Sequence, residues 1–319
     1  MVRVTNQALA ALIAITTLGI IYSLIYDTSL DTSNPLLANI PRTHVTSYFA
    51  QKSNIFNTLF VKKAWGWTSA AFLALYFTSP PQPVGIRRLG RWVVSTLVWA
   101  LFASWFFGPP LFDRIRVTSG GQCLIHLPQN VPSVTGTTTG PLPPIVVPPE
   151  YCETKLKISP RSHPALFTDP EIINALVESQ GKSLSELEIS FNPRLYHGHD
   201  ISGHLFLLTL SILFLVDEVG PSVPFIFPSV VPPHSSSGAP VSPNATPLHL
   251  NIVRATLVLI GLWYWMALTT SVYFHTVPEK ISGIGQFHAY VLPPLTYAII
   301  LLVTGIAGYL FTTLVVPSP

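Results

Sequence analysis

The chain has 319 residues, of which 49% are hydrophobic and only 10% charged, with a formal net charge of +3. A soluble globular domain carries about 25% charged residues, so this composition excludes an ordinary soluble enzyme and points to a protein that crosses a bilayer several times. The small net charge, with no basic patch interleaved with aromatics, excludes a nucleic-acid partner.

The first apolar stretch, 7-QALAALIAITTLGIIYSLIY-26, has the length of a spanning helix. It is too long for a signal-peptide core, and no clean small-residue cleavage site follows. Further stretches of spanning character lie at 63–80, 91–112, 201–219, 251–275 and 287–313, which makes about six spans. The second is the shortest and opens on Lys62-Lys63. The sixth contains Pro293-Pro294, which a membrane helix tolerates where neighbours satisfy the freed carbonyls. The predicted fold class is all-α: one polytopic transmembrane domain over 1–319, with Pro-rich loops at about 113–198 and 220–250.

The first long loop has a Pro/Gly/Thr core, 128-PQNVPSVTGTTTGPLPPIVVPPE-150, with no periodicity, and is expected to be irregular. After it, 169-DPEIINALVESQGKSLSELE-188 reads as a local, exposed helix. Both cysteines, Cys123 and Cys152, fall in this loop. They are too few for a Cys-based zinc module, and no CxxC occurs. One disulfide in an oxidising compartment and two free thiols both remain open. The second loop is Pro/Ser-rich, and its Asn244-Ala-Thr sequon runs straight into Pro247.

With six spans, both termini share one side, and segments 27–62, 113–200 and 276–286 share the other. The start of the fourth span and the end of the fifth then face the same compartment. Lys and Arg do not name that compartment, because the two sides are equal: Arg3, Arg87, Arg88, Arg91 and Arg254 against Arg42, Lys52, Lys62, Lys63 and Lys280.

Chemistry concentrates at these two helix ends. One is 197-HGHDISGH-204, the other 273-YFHTVPEK-280. Titratable groups at a membrane helix end are costly and make a functional-site hypothesis, although taken alone His204 also reads as an interfacial histidine beside a cap and His275 as one beside a Glu-Lys surface pair. Ser202-Gly203-His204 opens a span. Free N–H groups at a helix start attract phosphate oxygens, Gly203 allows close approach, and Asp200 or Ser202 is placed to cap the helix. His275 is followed four residues on by Glu279, a spacing that one helical turn would close. A carboxylate on one ring nitrogen fixes the tautomer and leaves the other nitrogen to attack or take a proton. The pair is similar to the site of lipid phosphate phosphatases, and that resemblance implies covalent phosphoryl transfer with His275 as nucleophile, Glu279 as its orienter and His204 as general acid. Ser202, Gly203, Asp200, His199 and Lys280 are the candidate substrate-binding residues. The scheme needs no metal and no cofactor. Lipid phosphate phosphatases use the same logic with PSGH and SRxxxxxHxxxD motifs. This chain departs from them in having Thr269 where that superfamily has arginine, and in lacking a KxxxxxxRP motif.

HGHDISGH at the start of one span and YFHTVPEK at the end of the next, with 119-SGGQC-123 after the third, resemble the fat storage-inducing transmembrane (FIT) family, whose fungal members are the Scs3-like proteins. The resemblance covers nearly the whole chain. It implies an endoplasmic reticulum membrane enzyme with a lumen-facing site. The implied substrate is fatty acyl-CoA, cleaved at its phosphoanhydride to acyl 4'-phosphopantetheine and 3',5'-ADP, in support of ER lipid balance and lipid-droplet formation. It implies membrane lipids as surroundings and names no protein partner. His204 and His275 match the family's two catalytic histidines.

Three other readings compete. A di-iron desaturase would use about eight histidine ligands, but only an HxxxxH occurs, at His199–His204. A zinc site at His197, His199, Asp200 and His204 fails at the spacing of its last histidine. A non-enzymatic diacylglycerol- or triacylglycerol-binding protein would use the histidines to orient a polar head, with Trp99, Trp105, Trp263 and Trp265 as lipid contacts.

Overall fold

The computed structural model describes residues 2–29, 47–51, 53–79, 85–103, 110–125, 144–154, 156–169, 173, 177, 190–227 and 246–284. The chain divides into two compact units, one made of Met1–Thr32, Leu36–Phe112 and Ile201–Pro319, the other of Ser33–Pro35 and Asp113–Asp200.

The first unit is helical. Its long elements are α1 (Val2–Tyr26), α2 (Ala64–Thr78) and α3 (Gly85–Ala103). A fourth helix, α4 (Leu111–Thr118), starts at its border. After the second unit come α6 (Gly203–Val219), the short α7 (Val223–Ile226), α8 (Pro247–Tyr273) and α9 (Val277–Ile284). Among the described residues three helical stretches are long and apolar enough to cross a membrane: Val4–Tyr26, Gly203–Ile226 and Pro247–Tyr273. The expected span at 287–313 lies outside the described residues. The expected span at 91–112 is displaced: α3 begins at Gly85 and a separate helix starts at Leu111. Its start takes in Arg88, ahead of the expected boundary at Arg91. Both are neutralised in the fold, where Arg88 Nε donates to Glu218 Oε2 at 2.8 Å and Arg91 pairs with Asp217.

α6 is the axis of this unit. It touches α1, α2, α3, α8 and α9, and nearly all its residues from Leu205 to Val219 are buried. Its neighbours turn apolar side chains outward, such as Leu18, Leu24, Phe77, Leu97 and Val258. In lipid no hydrophobic force drives helices together, so close packing must. α1 and α8 show how: a Cβ on Gly19 would stand 2.7 Å from Ser271 Cβ, and Tyr264 Oη donates to the Ala8 carbonyl at 2.8 Å.

Most of the stretch 128–150, expected to be irregular, lies outside the described residues, but the strand Ile145–Val147 falls within it, and the second unit has structure of its own. It contains a three-stranded antiparallel sheet in the order β2-β1-β3, from β1 (Gln122–Ile125), β2 (Ile145–Val147) and β3 (Arg194–Tyr196), and a short helix α5 (Pro149–Thr154). Cys123 on β1 and Cys152 on α5 form a disulfide with their Cα atoms 5.9 Å apart. Around it packs a core of Ile125, Val147, Ile158, Phe167 and Phe191. The expected helix at 169–188 lies almost wholly outside the described residues.

So small a core depends on its staple. Closing a loop of this size contributes about 2–4 kcal/mol. Serine at both Cys123 and Cys152 is therefore expected to speed proteolytic cutting within 113–200 by at least tenfold in detergent. An unchanged cutting rate would remove the disulfide from the account of this unit's stability.

Candidate active site

Ser202 is the N-cap of α6. Its backbone is extended and its Oγ accepts from Leu205 N–H at 3.4 Å. It is fully buried. The other candidate cap, Asp200, ends the sheet unit and pairs instead with Arg116, Oδ2 to Nη1 at 3.1 Å. His199 is held there too, its N–H donating to Ser119 Oγ at 2.7 Å, while Arg116 Nε donates to the His197 carbonyl at 3.1 Å. The fold thus brings the SGGQC and YHGHD stretches together, with Gln122 opposite Tyr196 and Cys123 opposite Leu195. The turn requires Gly198. Its φ is +69°, and a Cβ would stand 2.2 Å from the Arg116 carbonyl oxygen. Tyr196, buried at the edge of this turn, has its phenol pushed up by burial against the opposing pull of Arg194 and Arg116.

In the helical unit, α8 ends at Tyr273 and the chain breaks sharply. Phe274 is extended and His275 sits at φ +63°. α9 then starts with Thr276-Val277-Pro278-Glu279, the T-x-x-E pattern of a capping box. Glu279 Oε2 accepts from Thr276 N–H at 2.8 Å. Pro278 falls in the first turn, where a missing N–H costs no helical bond, so the four-residue spacing closes as expected. His275 Nδ1 lies 3.5 Å from Glu279 Oε2. This is ion-pair distance but long for a hydrogen bond, and Nδ1 is buried with no other partner among the described residues. Burial alone would raise the Glu279 carboxyl. The His275 ring and the Thr276 N–H outweigh it and hold the carboxyl below its usual range.

Two contacts join the helix starts. Ser202 N–H donates to the Glu279 carbonyl at 3.1 Å, and the His204 ring meets Phe274, the residue before His275, edge-on at 6.5 Å between centroids. The structure therefore brings Ser202, Gly203, His204, His275 and Glu279 to one end of the helical unit. Gly203 is open on most sides: a methyl group placed on it would have the Phe112 ring as its nearest neighbour, at 3.6 and 3.9 Å. Lys280 is fully buried, and its Nζ donates to Ser23 Oγ on α1 at 3.2 Å. Burial pushes its amine down to about 8, against the attraction of Glu279. Thr269 is spent on its own helix, donating to the Met266 carbonyl. Among the described residues no three His, Cys, Asp or Glu side chains are grouped to hold a metal ion.

A family model described as "Fat storage-inducing transmembrane protein" matches residues 45–297. The chain belongs to the FIT family. That span holds the whole SGH and HTVPE region. Among curated relatives, the acyl-coenzyme A diphosphatase fit1 of Schizosaccharomyces pombe is 27% identical over 259 residues, covering 81% of this chain and 77% of its own. The acyl-coenzyme A diphosphatases FITM2 of mouse and human are each 26% identical, covering 74% of this chain and 67% of theirs. No solved structure matches.

What sequence reading misses in this FIT chain is Ser23. A lone serine inside an apolar span carries no signal until its partner is known. The Lys280 amine gives a pH test. Between about 8 and its ordinary 10.5 the unfolded chain holds a proton that the folded chain has released, so stability rises with pH across that window. Melting in detergent is expected to show the wild type gaining on Lys280→Met from pH 8 to 10, whereas parallel curves would show that the amine is not buried.

Proposed function

We propose that this FIT protein is a fatty acyl-CoA diphosphatase, hydrolysing acyl-CoA to acyl 4'-phosphopantetheine and 3',5'-ADP. The observation that carries this is the joining of two histidine-bearing helix ends, through Ser202 N–H to the Glu279 carbonyl and through the His204–Phe274 contact. The names of the curated relatives give the substrate class.

The chemistry follows from the atoms. Glu279 stands on the Nδ1 side of His275, so Nε2 is the attacking nitrogen. It forms a bond to one phosphorus of the phosphoanhydride as the bridging P–O bond breaks, and His204 gives its proton to the departing oxygen. Water then attacks the phosphohistidine, His204 takes the water's proton, and His275 is released. The sum is one water consumed and one phosphoanhydride cleaved. The negative Glu279 stabilises the cationic imidazole that forms. The N-terminal turn of α6, with Gly203 at its mouth, offers N–H groups and the positive end of the helix dipole to phosphate oxygens. His199 and Asp200 belong to the sheet unit and are proposed as substrate-binding residues of the chain.

The membrane setting is that of the family. The lumenal face of the endoplasmic reticulum is the compartment that suits this chain, because the segment leading into α6 carries a disulfide, and disulfides persist in oxidising compartments. A role in ER lipid balance and droplet formation follows from consuming acyl-CoA there.

The test is direct. Purified chain in detergent, given oleoyl-CoA, is expected to release acyl phosphopantetheine and 3',5'-ADP, read by mass spectrometry. His275→Asn and His204→Ala are expected to lower turnover by about 10³-fold or more. Product formation that survives His275→Asn would exclude the phosphohistidine. Retained neutral-lipid binding with no product from wild type would favour the lipid-partitioning reading. Gly203→Ala refines the picture. Phe112 leaves room for the methyl, so melting is expected to stay unchanged while KM for acyl-CoA rises. An unchanged KM would take the phosphates away from Gly203.

A further inference from the structure

α1 lies before the first residue matched by the family model, and nothing in the two histidine motifs calls for it. Yet its C-terminal half is fastened to the segment that carries His275. Gly19 packs against Ser271, Thr28 Oγ1 donates to the Val272 carbonyl at 2.8 Å, and Ser23 Oγ accepts from Lys280 Nζ at 3.2 Å. Ser23 and Lys280 are both buried, at 3% and 0% exposure. A buried ammonium with too few partners is unstable in place, so the Ser23 hydroxyl fixes where the Lys280 side chain can lie.

Lys280 is covalently next to Glu279, and its own N–H donates to the Thr276 carbonyl at 3.0 Å. The first turn of α9 is therefore held at three points: by Thr276, by Ser202 on the Glu279 carbonyl, and by Ser23 through the Lys280 side chain. Glu279 and His275 sit inside that turn and its approach. We propose that Ser23 is a positioning residue for the His275–Glu279 pair, acting through Lys280, so that α1 is part of the catalytic apparatus. This rests on the diphosphatase reading of the site. The 3.5 Å gap between His275 Nδ1 and Glu279 Oε2 is the distance that such a brace controls, and displacements of about 1 Å at a reacting group cost up to ~10²-fold in rate.

The experiment compares Ser23→Ala, Ser23→Thr, Lys280→Met and the double variant Ser23→Ala/Lys280→Met with the wild type in detergent, with oleoyl-CoA as substrate, well below each melting temperature. Thr16→Ala is the control. Thr16 is buried on the same face of α1 but bonds the Leu12 and Ile13 carbonyls of its own helix. Ser23→Ala is expected to lower kcat about tenfold with KM within twofold, Ser23→Thr to restore it, Thr16→Ala to leave it unchanged, and the double variant to be no worse than the poorer single one. A wild-type kcat in Ser23→Ala, or a loss confined to KM, overturns the proposal, the latter by making Lys280 a substrate contact. Equal losses in Ser23→Ala and Thr16→Ala also overturn it, by reducing α1 to packing. A second readout needs no turnover: acylation of His275 by diethyl pyrocarbonate, followed by peptide mass spectrometry, is expected to change several-fold in Ser23→Ala and to return in Ser23→Thr. If the wild type makes no product, the diphosphatase reading fails by itself, and this labelling still decides whether Ser23 governs His275.

Discussion

One backbone hydrogen bond, from Ser202 N–H to the Glu279 carbonyl, makes a site out of two motifs that are far apart in the chain. Ser202 is an N-cap whose side chain is already committed to Leu205 N–H. Its own N–H needs another acceptor, and the first turn of α9 supplies one. Because both groups are buried, neither has water as an alternative, and an unmade bond would cost about 1–3 kcal/mol. The mutual placement of the α6 start and the His275 break is thus required by backbone satisfaction before any chemistry is considered.

The far end of α6 is organised on different terms. There Arg91 pairs with Asp217 and reaches Glu218, and Arg88 holds Glu218 and Ser79. His249, fully buried, lies between Thr78 and Ser222, each at 3.0 Å. A lone charge in such surroundings would be expelled, and removing one partner of a buried pair typically costs about 3–5 kcal/mol. Balanced in pairs, these side chains link α3 and α8 to the axis without leaving net charge in the membrane. With 17 residues at about 1.5 Å each, α6 sets the chemical end and the ionic end roughly 25 Å apart. Each end is tied by polar contacts, whereas in the middle the buried hydroxyls of Thr209 and Ser211 have no partner among the described residues.

Much of this is legible in the sequence. Long apolar runs mark α1, α6 and α8, and the histidine spacing points to the residues that the fold joins. Capping chemistry also explains why HTVPE behaves as one turn: a Glu three residues after Thr276 accepts the Thr276 N–H locally. The sheet is hidden because its strands have four, three and three residues amid prolines and threonines. Pairing such strands depends on partners distant in sequence, which no local period reveals. Hydropathy starts span three at Arg91 rather than Gly85 because it counts Arg88 as an exposed cation, whereas its partner Glu218 sits on another helix. By sequence proximity Lys280 is a candidate phosphate contact. Its burial against Ser23 is a tertiary fact, invisible in either helix by itself.

The left-handed backbone at His275 limits what evolution can place there. Only glycine is free of strain at such a φ, and among other residues Asn, Asp and His accept it best. Of the side chains able to carry a phosphoryl group through a covalent intermediate, Ser, Thr, Cys and Tyr would bring a larger backbone penalty to this position than His or Asp. Aspartate would stand beside Glu279 as a second anion, and like charges in a buried site oppose one another's ionisation. Conformation and electrostatics together therefore favour histidine at this break between helices, which is the residue that the proposed phosphohistidine needs.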